Sequence, residues 1–255
     1  MAAANPPPGM QTRMIELHTV DGVMRGKVAV TTGPMRLTGL LPAAFALTNA
    51  LVERANGLEV RAGRAISCRA GCAACCRHMV PVSPPEAFGL LDVLDGLVPR
   101  RRAEVHAQFQ RIEHAVISGG MLEAMMRPPP TDESSLPIAR RYFALQLACP
   151  FLENEACGIH PQRPTACRDY NVTSPATWCA SPYDNEIAKV PMPLPLSVPL
   201  ARAAAALVGG KPQLIPLSLV PRWAREHAEL RTRTWPGAEV FDAFEAELRS
   251  LYTPE

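Results

Sequence analysis

Eight cysteines, all between residues 68 and 179 of a 255-residue chain, constrain this sequence more than any other feature. They fall in two groups: Cys68-x3-Cys72-x2-Cys75-Cys76, and Cys149-x7-Cys157-x9-Cys167-x11-Cys179. A hydrophobic core does not gather thiols in this way, and a disulfide framework belongs to oxidising compartments. The opening MAAANPPPGMQTRM has no basic start followed by an apolar run, so it does not read as a secretory signal. The longest uncharged stretch, Leu37 to Val52, has 16 residues, where a membrane span needs about 20. The sequence therefore predicts a cytoplasmic protein with no membrane partner, whose clustered thiols are metal ligands or redox groups.

Charge supports metal. Lysine and arginine number 26 against 24 acidic residues, a formal +2 that is too even to predict a nucleic-acid partner. The Arg100-Arg101-Arg102 run is short and reads as a solvated helix start. Eight ionised thiols with nothing bound would take the formal charge from +2 to −6, most of it crowded into two groups. Cations must offset that. Arg64, Arg69 and Arg77 flank the first group, and Arg163 and Arg168 lie in the second. Such neighbours lower thiol pKa values and can donate hydrogen bonds to sulfur. Composition accounts for part of this proximity, because 23 of the 26 basic residues are arginine.

Periodicity predicts a mainly α fold: an irregular helical domain with metal-binding cysteine loops and a small N-terminal β-hairpin. Residues 1–12 read as a tail. Alternating runs from Met14 to Thr31 around Asp21-Gly22 read as a hairpin. Leu37 to Leu51 has helical spacing, with Gly57 as its end. Ser83-Pro84-Pro85-Glu86 has the form of a capping box opening a helix with Phe88, Leu91 and Leu94 on one face. Val105, Phe109, Ile112 and Val116 mark a second helix, closed by Gly119-Gly120, and Pro128 to Pro130 a linker. Ser134 to Leu147 is predicted helical, and 149–179 a set of loops. Val190 to Pro221, rich in proline, reads as extended or packed coil. Arg222 to Arg233 and Ala238 to Leu251 read as closing helices. The implied organisation is 1–35 (tail and hairpin), 36–189 (cysteine-cluster domain) and 190–255 (a proline-rich segment and helices packed on the core).

Within the first group, helical positions i, i+4, i+7 and i+8 would place all four thiols on one face, and a loop ending in a short helix would also converge them. Cys75 and Cys76 are adjacent, so their side chains diverge and can serve different ions. In the second group, the Glu153-Asn154-Glu155 turn folds Cys149 back toward Cys157. Soft thiolates from separated loops suit a structural metal or an iron–sulfur cluster. His78 and His160 could complete a site. Trp178, beside Cys179, is expected to shield it.

The run C-x3-C-x2-C-C, a helical interval, and then C-P-F-L-E-N-E-A-C-G-I-H-P-Q-R-P-T-A-C-R-D-Y resemble the YkgJ-type cysteine-cluster proteins. That family is described as a zinc- or iron-chelating domain with eight characteristic cysteines. The resemblance covers about residues 64–180 and includes all eight cysteines with Pro150, Arg163, Pro164 and Arg168. His160 stands where the family more often has tyrosine. Metal binding is what the resemblance implies. It does not settle a reaction: one relative, flagellin lysine N-methylase, has an assigned activity, and most members have none.

Cys68-x3-Cys72-x2-Cys75 also has radical-SAM spacing, and Cys72-Ala-Ala-Cys75 thioredoxin spacing, but neither has its βα context here. The reading reached is a metal centre ligated by Cys68, Cys72, Cys75, Cys76, Cys149, Cys157, Cys167 and Cys179. Arg77, His160, Arg163 and Arg168 are its expected supporting groups. Iron, as an iron–sulfur cluster or multinuclear site with a redox or oxidative role and an unnamed protein or redox partner, ranks ahead of a structural zinc module for protein interaction. A thiol redox sensor stands third. Enzyme activity is left open.

Overall fold

A computed structural model describes residues 9–19, 22–127 and 132–250. It is mainly α, with four two-stranded antiparallel pairings. The chain opens with β1 (Met10–Thr19) and β2 (Gly22–Thr31), paired from Met10↔Thr31 to Thr19↔Gly22. Alternation explains the hairpin: Ile15, Leu17 and Val30 point into the core while Met14, Glu16 and His18 face out. Met10 to Thr12 were expected in the tail but belong to β1, because β2 is long enough to offer them partners. Asp21, expected in the turn, lies outside the described residues, as do residues 1–8.

β3 (Pro34–Met35) leads to α1 (Leu41–Arg61). This helix runs through Gly57, its expected end. One interior glycine costs only about 1 kcal/mol, and the buried stripe Leu51, Ala55, Glu59 continues past it. After the first cysteine loop come β4 (Pro81–Val82), α2 (Pro84–Gly96) and α3 (Pro99–Ser118). The capping box forms as the sequence indicates: Glu86 accepts from the Ser83 N–H at 2.8 Å and hydroxyl at 2.7 Å. Val105, Phe109, Ile112 and Val116 are all buried along α3.

α4 (Leu122–Met126) and α5 (Asp132–Ala144) flank the predicted Pro128–Pro130 linker, which lies outside the described residues. The second cysteine region contains β5 (Leu152–Glu153), β6 (Ala156–Cys157) and α6 (Thr165–Asp169). α7 (Ser197–Val208) then corrects the expectation of extended chain over 190–221. Proline at the third position of a helix has no partner to lose, and Ala201 with Ala203 to Ala206 has the highest helix propensity. The many prolines punctuate this helix rather than prevent it.

β7 (Ile215–Pro216), α8 (Val220–Glu226), α9 (Ala228–Thr232), β8 (Trp235–Pro236) and α10 (Gly237–Ser250) complete the fold. The single helix expected over 222–233 is broken at His227. There the imidazole Nδ1–H donates to the Trp223 carbonyl at 2.8 Å, the acceptor that His227's own N–H would use in a continuous helix.

The main core joins hairpin residues Ile15, Leu17 and Val30 to Phe88, Phe151, Leu196, Phe241 and Phe244. α10 packs on α7 and on both hairpin strands. A Cβ at Gly237 would lie 2.2 Å from the Thr31 carbonyl oxygen, so only glycine permits this approach. A smaller cluster of Ile112, Val116, Met121, Met125, Ile138, Tyr142 and Leu219 continues the buried face of α3 toward its C-terminal end.

Candidate metal centre

The first cysteine group lies in a loop and one 3₁₀ turn rather than a continuous helix. Cys72 N–H donates to the Arg69 carbonyl at 3.1 Å, closing a turn in which Gly71 has φ 81°, a conformation glycine adopts without strain. The turn Ala74–Arg77 follows and carries Cys75 and Cys76. Ser67 N–H donates to the Val172 carbonyl at 2.9 Å, so Cys68 is held beside the segment that precedes Cys179. A second 3₁₀ turn, Ala176–Ala180, packs on Ala74–Arg77 and brings Cys179 to the same place.

The other three thiols are positioned by separate contacts. Cys149 N–H donates to the Cys76 carbonyl at 2.7 Å. Asn154 and Glu155, at φ 49° and 56°, make the tight turn between β5 and β6, as the sequence predicts, and return the chain so that Cys157 pairs with Leu152. Cys167 lies on α6, whose first residue is fixed at a distance in sequence. Thr165 N–H and hydroxyl donate at 2.7 and 2.8 Å to the Glu86 oxygen that Ser83 does not use. One buried carboxylate thus accepts four hydrogen bonds and ties the start of α2 to α6. Sequence reading found the capping box but not Thr165, 79 positions away, and no local signal announces that contact.

All eight thiols are free; Cys179 is buried and the others are half-buried. Burial raises Cys68, with Cys75 and Cys72 adding to it. Burial likewise raises Cys179, with Cys68, Cys75 and Cys72 as its charged neighbours. Cys149 is pushed up to about 12 by burial, then by Cys157 and Cys75. Cys167 is raised well above the usual thiol range by burial, Cys149, Cys75 and Cys157. Cys75 and Cys76 influence one another most strongly, so that one of the pair ionises ahead of the other, with Cys75 held below and Cys76 above the usual thiol range. Without a cation most of these groups stay protonated. A bound metal is what would let them ionise together.

The supporting groups divide by role. Arg163 lies near Cys68 and Cys75, lowering both, and its Nε is buried with no hydrogen-bond partner. An unpaired buried donor beside thiols fits a site completed by anionic sulfur. Arg77 donates to Glu155 at 2.9 and 3.2 Å and to the Ala73 carbonyl at 3.2 Å, clamping the first loop to the β5–β6 turn. Arg168 donates to the carbonyls of Arg163 and Pro161 and to Asn49, and lies 4.1 Å over the Phe45 ring, so it holds the ligand-bearing loop on α1. His160 is exposed; Arg163, partial burial and Arg168 keep its imidazole below the usual value.

His78 packs against Phe143 and Tyr170 at 5.1 and 5.8 Å, and its Nε2–H donates to the Cys179 carbonyl at 3.4 Å. Trp178 is 38% exposed, while Cys179 beside it is buried. Arg101, expected in solvent, is instead half-buried. It donates to the Leu152 carbonyl at 3.0 Å and lies near enough to Cys149 to favour its thiolate.

No group of three or more His, Cys, Asp or Glu side chains among the described residues is drawn together closely enough to hold a metal ion as it stands. The donor chemistry nevertheless fits a metal: reduced soft thiols from both sequence groups, adjoining one another, with spare cationic donors beside them. No helix of the described residues is long and apolar enough to cross a membrane.

No curated protein and no solved structure matches the chain. Residues 67–188, just under half of the sequence, match the family model CxxCxxCC, described as "Putative zinc- or iron-chelating domain". The match begins one residue before Cys68, ends nine after Cys179 and so takes in every thiol described above. Over that stretch the chain is similar to a family of cysteine-cluster domains that is described as chelating zinc or iron.

Proposed function

We propose that the eight cysteines hold iron, as an iron–sulfur cluster or multinuclear site, and that the protein acts in electron transfer or oxidative chemistry with a redox partner in a reducing cytoplasm. The observation that carries this reading is a pool of eight free thiols from both sequence groups, with the buried, unpaired Arg163 Nε–H near Cys68 and Cys75. Soft thiolates in that number suit an iron–sulfur cluster. When bound, the metal supplies electron transfer. The chain itself ligates it through cysteine, offers the Arg163 Nε–H to sulfur, and covers one side with His78, Phe143 and Tyr170.

Anaerobically purified protein carries iron and visible charge-transfer absorption on this reading. A colourless protein holding stoichiometric zinc overturns it in favour of a structural zinc module.

A further inference from the structure

We infer that the outer edge of β1 pairs with the same edge of a second copy of this chain, joining two hairpins into one four-stranded antiparallel sheet about a two-fold axis at Met14. β1 and β2 make a sheet of two strands with ten residues each, about twice the usual strand length. A hairpin that long leaves a row of backbone groups on each outer side with no strand beside it. The register identifies them. Thr32 N–H donates to the Gly9 carbonyl at 2.9 Å, one step beyond the Met10↔Thr31 pair. Bonded and non-bonded positions alternate in an antiparallel pair, so Gln11, Arg13, Ile15 and Leu17 bond to β2. Met10, Thr12, Met14, Glu16 and His18 direct their N–H and C=O groups outward. Among the described residues, no backbone hydrogen bond from outside the hairpin reaches them.

The two edges differ in how they meet a copy of themselves. On β2 the outward row centres on Lys27, with Arg25 beside it, so two such edges would set lysine against lysine. Charge of this kind ordinarily protects an edge from pairing. On β1 the centre is Met14, 56% exposed, and the strand has no proline and no break in register. A two-fold axis at Met14 uses every outward group. Met14 meets Met14, Thr12 meets Glu16, Met10 meets His18, and no like charges stand opposite. The two hairpin midlines then lie about 10 Å apart, the distance at which helices pack. That leaves room beneath the joined sheet for both copies of α10, which packs on β1 and β2.

The test is the molar mass of the full chain by light scattering across a concentration series, under reductant so that thiols do not link copies. The expected result is a reversible dimer of twice the 27.6 kDa chain. Met14→Pro removes the N–H at the axis, which has no partner within the hairpin, and is expected to give a monomer with an unchanged circular dichroism spectrum. Thr12→Glu places a carboxylate against Glu16 of the second copy on both sides of the axis and should weaken the dimer about fivefold, while Thr12→Lys should tighten it by about as much. Should Met14→Pro fail to fold, the opposite shifts of the two Thr12 variants decide the matter. A wild type that stays monomeric to its solubility limit overturns the proposal. So does a dimer that Met14→Pro leaves intact, or one that the Thr12 variants shift in the same direction or not at all. Assembly beyond the dimer also overturns it, since β1 would then pair with β2 of the next copy.

Discussion

The Glu86 carboxylate provides a sharp test of how the second cysteine group is positioned. Its two oxygens accept from the Ser83 N–H and hydroxyl and from the Thr165 N–H and hydroxyl, at 2.7 to 2.8 Å, and the residue is 2% exposed. Glu86→Gln preserves shape but replaces one accepting oxygen with an NH2 group that faces two donors. Two buried donors then lack an acceptor. At about 1–3 kcal/mol for each unsatisfied group, the loss is about 3 kcal/mol. In a chain of this size that corresponds to a fall of roughly 6–12 °C in melting midpoint.

The pair that loses its acceptor depends on how the amide turns, but either choice loosens α2 or α6. Metal content in the 149–167 region should fall with it. The assay is thermal unfolding by circular dichroism on metal-loaded and chelated protein, with metal content measured in parallel. Thr165→Val, which removes only one hydroxyl donor, should cost about 1 kcal/mol and serves as a graded control. A Glu86→Gln protein melting within about 2 °C of wild type with full metal content would falsify the claim that this carboxylate positions Cys167.

Further outcomes follow from single contacts. Gly237→Ala places a methyl 2.2 Å from the Thr31 carbonyl oxygen and 2.9 Å from that of Gly33; a loss of about 2–4 kcal/mol in denaturant unfolding is expected. Gly26→Ala, with open space around its Cβ, should stay within about 0.5 kcal/mol of wild type. Arg163→Lys keeps the charge but removes the unpaired Nε donor near Cys68 and Cys75; metal affinity should drop about tenfold in chelator competition with the fold unchanged. Arg13→Ala removes ion pairs to Asp242 and Glu245 at 2.6 and 3.1 Å. Asp242 is exposed but Glu245 is buried, so a cost of about 1 kcal/mol in denaturant unfolding is expected, above that of a fully exposed pair.

Local chemistry accounts for what could be read early. The alternation of Ile15 and Leu17 with polar residues, the Ser83–Glu86 capping box and the stripe on α3 each depend on residues within a few positions of one another. The prolines of 190–221 misled because their effect depends on position: Pro199 in the first turn of α7 is harmless, where a mid-helix proline would not be. His227 could not be foreseen as a break, since its ring competes for a carbonyl only when stacked on Trp223 at 4.4 Å.

The same boundary runs through the site. Composition and spacing alone pointed to the eight thiols in two groups as the candidate site, to a turn at Glu153 to Glu155, and to metal as the chemistry those residues suit. Only the tertiary structure decided that Cys76 meets Cys149, that Cys179 returns to the first loop, that Arg168 braces α1 while Arg163 keeps a free donor near sulfur, and that Glu86 reaches Thr165. Spacing along a chain limits reach, but which loops come together is settled by the apolar faces of α2, α3, α7 and α10 closing on one core, and those contacts join residues far apart in sequence.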